Sequence, residues 1–347
     1  MKSMKSIISL LIVPTFALLP GIGLAQTNPP PVAATNAVSY APAVLPGKGL
    51  AQHPFLLTGE ADSRNKEQTL FVVRDGKVAW TYSVPLKTTN GESELGDATM
   101  LSNGNIVFCR KLGASEVTPD KTIIWNMEAP KGTEIHSIQP IGLDRVLVTV
   151  NGHPPKLMLI NTKNGATEKE LTLPAARING SPHLQFRRVQ QTAAGTYVAA
   201  HLLDNKVSEY DADGKEIWTY AVNGPWSATR LKNGNTLIAA NRKILEVNHD
   251  GKVVWEFSPT NAPDYRMFIF QEVSRLANGN TVVCSWCPGG IRSSTNWPGS
   301  VQVLEISPEK KIVWALSQWK NPDLGPGSSI QLLDEPGLPE NPGDQQR

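Results

Sequence analysis

The chain has 347 residues, with 33 basic and 31 acidic side chains and a formal charge of +2. A balance this close creates no net field to recruit nucleic acid or an anionic membrane, and no polybasic run does so locally. The length would hold two ordinary domains, but a single all-β unit also reaches this size.

Residues 1–25 read as a secretory signal: Lys2 and Lys5 supply the positive start, Ile7 to Leu19 the apolar segment, and Gly23-Leu24-Ala25 a small-residue cleavage site before Gln26. Pro14 and Pro20 interrupt the apolar segment, which is short for a membrane span. No Cys stands just after the cleavage point to take a lipid. Residues 26–50 are rich in Pro and Ala and have no periodicity, so they read as a flexible linker. The expectation is export to the periplasm or the exterior, with no stable membrane span after cleavage.

Beyond the linker one phrase recurs six times. Asp75-Gly76-Lys77-Val78-Ala79-Trp80 is the first copy, and Pro119-Asp120-Lys121-Thr122-Ile123-Ile124-Trp125 the second. Lys163-Asn164-Gly165 opens a third that has Lys169 where Trp would fall. Asp213-Gly214-Lys215-Glu216-Ile217-Trp218, Asp250-Gly251-Lys252-Val253-Val254-Trp255 and Glu309-Lys310-Lys311-Ile312-Val313-Trp314 complete the set. The steps of 45, 44, 49, 37 and 59 residues suit a four-stranded propeller blade. A second phrase marks an earlier hairpin in each unit, as in Leu101-Ser102-Asn103-Gly104-Asn105, Leu231-Lys232-Asn233-Gly234-Asn235 and Leu276-Ala277-Asn278-Gly279-Asn280. Asn-Gly between apolar runs is a strong hairpin signal, because both residues tolerate positive φ.

Complete four-strand sets fall near residues 96–127, 135–173, 184–221, 226–257 and 268–317. Residues 54–83 supply three strands, and the tail Ser329-Ile330-Gln331-Leu332-Leu333 supplies the missing inner one, which closes the ring. The predicted fold is an all-β, six-bladed β-propeller over residues 51–335, with 336–347 as a C-terminal tail; seven blades is the alternative. Cys284-Ser285-Trp286-Cys287 has half-site spacing, but a zinc site needs two more ligands and Pro288 stands where haem attachment needs His. The pair reads as a local disulfide or two unrelated buried thiols.

Tyr210-Asp211-Ala212-Asp213-Gly214-Lys215-Glu216-Ile217-Trp218 resembles the tryptophan-docking repeat of the PQQ-like (quinoprotein-type) β-propellers. Pairing Leu-x-Asn-Gly-Asn-Thr with Asp-Gly-Lys-Val-Val-Trp is also similar to the bacterial arylsulfotransferase propellers. The resemblance spans about residues 54–334 and implies that each docking Trp stacks between blades. It implies no bound quinone: many members of the family bind none. The vicinal Cys pair of quinoprotein dehydrogenases and the adjacent His pair of arylsulfotransferases are absent here, so neither catalytic set transfers.

In a propeller the starts of the inner strands and the ends of the second strands share one rim. Alignment on the turns puts Gly96, His136, Arg187, Trp226 and Gln271 there, with Asp97, Ser137, Arg188, Ser227 and Glu272 one residue on. The second-strand ends add Arg110, Asn151, His201, Asn241 and Trp286, and His183 lies just upstream of Arg187. These positions differ from blade to blade, as an asymmetric pocket requires. Arg187 and Arg110 would take charge from an anion, His136, His183 and His201 would orient polar groups, and Trp226 and Trp286 would stack on a ring. Asp97 and Gln271 complete the expected lining. The segment from Ser285 to Ser300, with Gly289-Gly290 and Trp297, lengthens the last blade on this rim and reads as a lid or pocket wall. Glu94, Asp97 and Glu272 could supply paired carboxylates there.

No nucleophile phrase, phosphate loop or calcium loop is present. The leading expectation is a binding module for a small anionic or carbohydrate-like ligand, with neither cofactor nor metal. A transferase or lyase using His136, His183 and Arg187 catalytically is the second, and a scaffold for a protein partner the third. The sequence does not decide whether the protein is an enzyme.

Overall fold

The computed structural model describes residues 42, 44–89, 91–174, 181–287 and 294–346. The expected signal segment and most of the linker lie outside that range. Six four-stranded antiparallel sheets form the blades of a ring, and no α-helix occurs among the described residues. From the inner strand outward, blade II comprises Leu95–Met100, Ile106–Arg110, Gly113–Val117 and Ile123–Glu128. Blade III comprises Glu134–Pro140, Arg145–Asn151, Lys156–Asn161 and Thr167–Thr172, and blade IV comprises Phe186–Gln191, Tyr197–His201, Lys206–Tyr210 and Glu216–Ala221. Blade V comprises Pro225–Arg230, Thr236–Ala240, Lys243–Val247 and Val253–Phe257, and blade VI comprises Ile269–Arg275, Thr281–Trp286, Val303–Ile306 and Ile312–Leu316.

Blade I is split as expected. Its outer strands are Phe55–Thr58, Glu67–Arg74 and Lys77–Pro85, and its inner strand is Ser329–Leu332 from the far end of the chain. The pairing is antiparallel, with Phe55 opposite Leu332 and Thr58 opposite Ser329. It satisfies an edge that would otherwise stay open.

The turns work differently from the expectation. In the Leu-x-Asn-Gly-Asn loops only glycine is left-handed, at φ 87° for Gly104, 85° for Gly234 and 87° for Gly279. The loop is one residue longer than a two-residue hairpin turn, with Leu101 N bonded to Asn105 O at 2.8 Å. Asparagine acts through its side chain. Asn103 Oδ1 accepts from Asn105 N at 3.0 Å, and Asn105 Nδ2 donates to the buried Glu116 at 2.7 Å. Blades V and VI repeat this with Asn235 to Glu246 at 2.7 Å and Asn280 to Glu305 at 2.6 Å.

Each outer strand presents its docking residue to the next unit. Trp80, Trp218 and Trp255 donate from Nε1 to the carbonyls of Pro119, His249 and Pro308 at 2.8, 2.8 and 2.9 Å. Each acceptor immediately precedes the turn of the next blade's repeat. Trp314 instead reaches Gly49 O at 2.9 Å, because residues expected as linker dock at the seam and Leu45 packs against the core there. In the copy without Trp, Lys169 takes over the docking bond. Its Nζ donates to Ala212 O at 2.5 Å and lies 5.7 Å from the Tyr197 ring centroid.

Candidate functional site

Five of the six inner strands carry a β-bulge at one level. The register slips by one residue between Leu95 and Ala98, Ile135 and Ser137, Phe186 and Val189, Pro225 and Ser227, and Phe270 and Val273. A bulge sets two residues against one on the partner strand and re-aims their side chains. The bulged stretches contain Gly96-Asp97, His136, Arg187-Arg188, Trp226 and Gln271-Glu272, which are the rim positions expected from turn alignment. Consecutive Arg187 and Arg188 thereby both serve the channel, at two depths.

The layer nearer the mouth centres on Arg187. Its Nη1 donates to Glu60 Oε1 at 2.9 Å and to His136 Nδ1 at 3.1 Å, and its Nη2 donates to His183 Nε2 at 2.9 Å. A guanidinium has only donors, so both of those ring nitrogens are acceptors. The protons therefore sit on His136 Nε2 and His183 Nδ1, and both point at Glu134 Oε2, each at 2.9 Å. Arg187 thus holds two neutral imidazoles in fixed tautomers, and Glu134 closes the ring of hydrogen bonds. Burial, reinforced by the Arg187 charge, lowers His136 to about 4. Burial works to raise Glu134, but the two imidazole N–H donors hold it well below the ordinary carboxylate range.

Burial works to raise Glu60 as well, but the Arg187 charge, the two histidines and the Gln271 hydrogen bond together leave its carboxyl lowered. Gln271 Nε2 donates to its other oxygen at 2.8 Å, and Trp286 Nε1 donates to its backbone carbonyl at 2.9 Å. The Trp226 ring lies over the guanidinium at 4.6 Å and is tilted against Trp286 at 5.7 Å. Glu94 differs from the other carboxylates. Burial and the neighbouring Glu60 raise it to about 7, and its buried Oε1 has no hydrogen-bond partner. His183 Nδ1 stands 3.5 Å away, with its proton directed at Glu134. Lys111 Nζ approaches Glu134 at 3.5 Å from the solvent side.

One residue deeper, Arg188 Nη1 meets Glu272 at 2.8 Å, and its Nε meets Asp97 at 3.0 Å. One guanidinium serves two partly buried carboxylates, so desolvation leaves Asp97 raised to about 6.

Not every expected residue joins this network. Arg110 turns outward along its own blade to Ser115, Asn126 and Glu128 at 2.8, 3.0 and 2.6 Å. His201 is buried inside blade IV, 4.5 Å from the Phe186 ring and 2.9 Å from the Tyr210 hydroxyl. Arg187 pairs with Glu60 rather than with Asp97 or Glu272, which belong to Arg188. Trp297 is buried against Trp319 at 6.4 Å, with Arg64 over its ring at 5.3 Å, so it is core. Gly289 and Gly290 of the expected lid lie outside the described residues. Cys109, Cys284 and Cys287 are free buried thiols. Turn alignment did not bring out Glu60 or Glu134. Glu60 follows the second strand of the split blade, where the alignment had no inner strand to start from. Glu134 lies two residues before His136, across the bulge, and meets the His136 ring directly.

Glu94, His136 and His183 each bring a ligand atom within 4.8 Å of one another, which is metal-like spacing. Arg187 opposes a resident ion. A cation on the outer ring nitrogens would move both protons onto the inner ones, where they would face the guanidinium donor to donor. The guanidinium itself supplies the positive charge the acceptors need.

Six four-stranded blades around a bulged, charge-filled channel define a six-bladed β-propeller whose turn phrases resemble PQQ-like repeats. The family described as outer membrane protein assembly factor BamB matches residues 187–292. A protein of unknown function from Bacteroides caccae is similar in structure, with a TM-score of 0.69 and 23% identity over 80% of this chain and 98% of that one. A catalytically inactive virginiamycin B lyase from Staphylococcus aureus with quinupristin follows at a TM-score of 0.52 and 14% identity, over 81% of this chain and 90% of that one. A streptogramin B lyase gives 0.51 and 12%, over 80% and 85%. At these identities the likeness is one of fold. No curated protein matches the sequence. None of these matches carries the likeness to arylsulfotransferases.

Proposed function

We propose that the protein is an exported binding propeller whose ligand is a small, hydroxyl-rich, carbohydrate-like molecule held where the inner strands begin. The observation that carries this reading is the pre-oriented set of His183, Glu134 and Lys111 at the mouth, backed by Arg187. The His183 side chain is 33% exposed and that of Glu134 18%, while the groups that orient them are buried. The Lys111 ammonium as donor and the Glu134 carboxylate as acceptor, the latter held in place by His183 and His136, suit hydroxyl recognition with a Trp alongside. Arg187 has its charge matched by Glu60, which favours a carbohydrate-like ligand over an anion. The space inside this layer is about 20 Å³, room for one water, so the ligand would rest on the mouth. Export rests on the pattern of residues 1–25.

The test is thermal unfolding of residues 26–347 against a panel of neutral sugars, uronic acids and aryl sulfates, with His183→Ala alongside. A neutral sugar that stabilises the wild type and not the variant supports the reading. Selective stabilisation by anions, or none by any compound, overturns it; the latter favours a scaffold for a protein partner.

Glu94 favours a second reading. A buried carboxyl that titrates near neutrality with an unpartnered oxygen is suited to general acid–base work. A lyase-type reaction would use it beside His183, on the same fold as the two lyases above. Turnover of any substrate that survived Glu94→Gln unchanged would exclude it.

A further inference from the structure

A larger cavity, of about 110 Å³, occupies the opposite half of the channel. Its roof is Arg188 with Asp97 and Glu272, and its floor is the C-terminal tail over residues 335–346. All six inner strands line its wall, through Thr99, Gln139, Gln190, Thr229, Ser274 and Gln331 among others. Gln139 and Gln331 are committed to the backbone of the neighbouring blade, Gln139 to Gln191 and Gln331 to Met100. The other four face the space with uncharged donors and acceptors. Gln346 adds a buried Oε1 that has no hydrogen-bond partner.

This lining selects a chemistry. No aromatic side chain is in it, so nothing stacks a flat ring. Its two arginines are already paired, Arg188 with Asp97 and Glu272 and Arg230 with Glu209. An anionic ligand would find no free counter-charge. The volume holds several waters, space for a three- or four-carbon polyol.

The tail is built to open. Glu340, 3% exposed, accepts from Ser102 N at 3.2 Å and from the Ser102 hydroxyl, and its carbonyl accepts from Gly142 N at 2.8 Å. Glu335 accepts from Ala277 N at 2.8 Å, and Asp344 lies 3.7 Å from Lys232. The floor thus spans turns of blades II, III, V and VI through polar contacts. It contains no strand or helix, and Leu338 is 45% exposed. A segment with so little apolar burial opens at low cost, and the Arg187 layer blocks the other end.

From this geometry we infer that the lower channel binds a small uncharged polyol and that residues 335–346 are its lid. The site is independent of the mouth.

The experiment titrates the full chain with erythritol and glycerol, followed by amide NMR shifts and exchange rates. Shifts are expected at Gln190, Thr229, Ser274 and the tail, and Thr229→Val is expected to weaken erythritol about tenfold, or ~1.4 kcal/mol. Glu340→Ala is expected to speed association and dissociation together by about tenfold, with Kd within about threefold, since a lid gates both directions alike. Ser102→Ala with Lys232→Ala loosens the same floor and serves if Glu340→Ala does not fold. Absent shifts, shifts confined to residues around His183, or exchange rates untouched by both lid variants would each overturn the inference.

Discussion

At the scale of single residues, the channel is a problem of shared charge. Arg187 and Arg188 are adjacent in sequence, yet each anchors its own set of carboxylates. Alternation along a strand would send them to opposite faces; the bulge between Phe186 and Val189 cancels that. The identity of the rim residues was legible, because turn phrases count residues reliably. Which carboxylate each arginine takes was not, because pairing depends on the bulge and on Glu60, which enters from blade I. Arg110 went astray for a related reason: its long side chain follows the polar groups of its own outer strands.

Glu94 gives a test at this scale. Its folded carboxyl titrates at about 7, above the ordinary 4.5, so the folded state binds the extra proton. Stability from this group is present at low pH and falls as pH rises from about 4.5 to about 7. His136 acts in the opposite sense between about 4 and 6.5, because its neutral form is the folded one. Glu94→Gln removes the first effect alone. The variant is expected to match the wild type near pH 4.5 and to exceed it by on the order of 1–2 kcal/mol at pH 8, as read from urea unfolding. A constant difference across that range would show that Glu94 ionises freely.

At the scale of elements, the docking position shows how one role accepts two chemistries. Trp80, Trp218 and Trp255 each couple an apolar plane to one N–H donor, and Lys169 keeps the donor while giving up the plane. Trp255→Ala is therefore expected to cost about 3 kcal/mol and Lys169→Ala about 1 kcal/mol, measured by denaturant midpoints at constant slope. Equal costs would mean the hydrogen bond, not the ring, carries the interface. The repeat made the missing Trp visible, but propensity alone had no means of assigning a substitute to Lys169.

The seam of the ring offers a second element-scale test. His53 contacts Asp334 at 2.9 Å and Glu305 at 3.1 Å. Burial works to lower it, but the two carboxylates outweigh that and raise it above 6.5. A raised folded value makes this contribution complete below pH 6.5 and lost as pH rises through the folded value. His53→Gln is expected to destabilise the protein at pH 6 and to have a smaller effect at pH 9, by thermal unfolding. An effect that grew with pH would contradict the charged bridge.

At the scale of the molecule, most of the architecture was readable because it is written in local turn chemistry repeated six times. The split blade was readable from a deficit: residues 54–83 lack one strand, and the tail has one to spare. The bulges were not readable, since an extra residue leaves no mark on an apolar pattern. The floor of the lower cavity was equally hidden, because residues 335–346 carry no periodicity and are held by contacts to loops far away in sequence. A chain ending at Asp334 keeps the inner strand and is expected to stay folded. One ending at Gly327 loses the seam and is expected to unfold or aggregate, as circular dichroism and light scattering would show. A folded, monomeric product of the shorter chain would contradict the role given to the closing strand.

That closing strand also sets a schedule. Phe55–Thr58 is synthesised well before its partner Ser329–Leu332, with the other five blades between them. Five blades can form in order as the chain lengthens, while the first waits with an unpaired edge until the closing strand has been made. Any product that stops between Thr58 and Ser329 therefore carries the same exposed strand. The junction acts as a checkpoint: a ring that shuts has received its closing strand, and one that cannot shut offers quality-control proteases an open end.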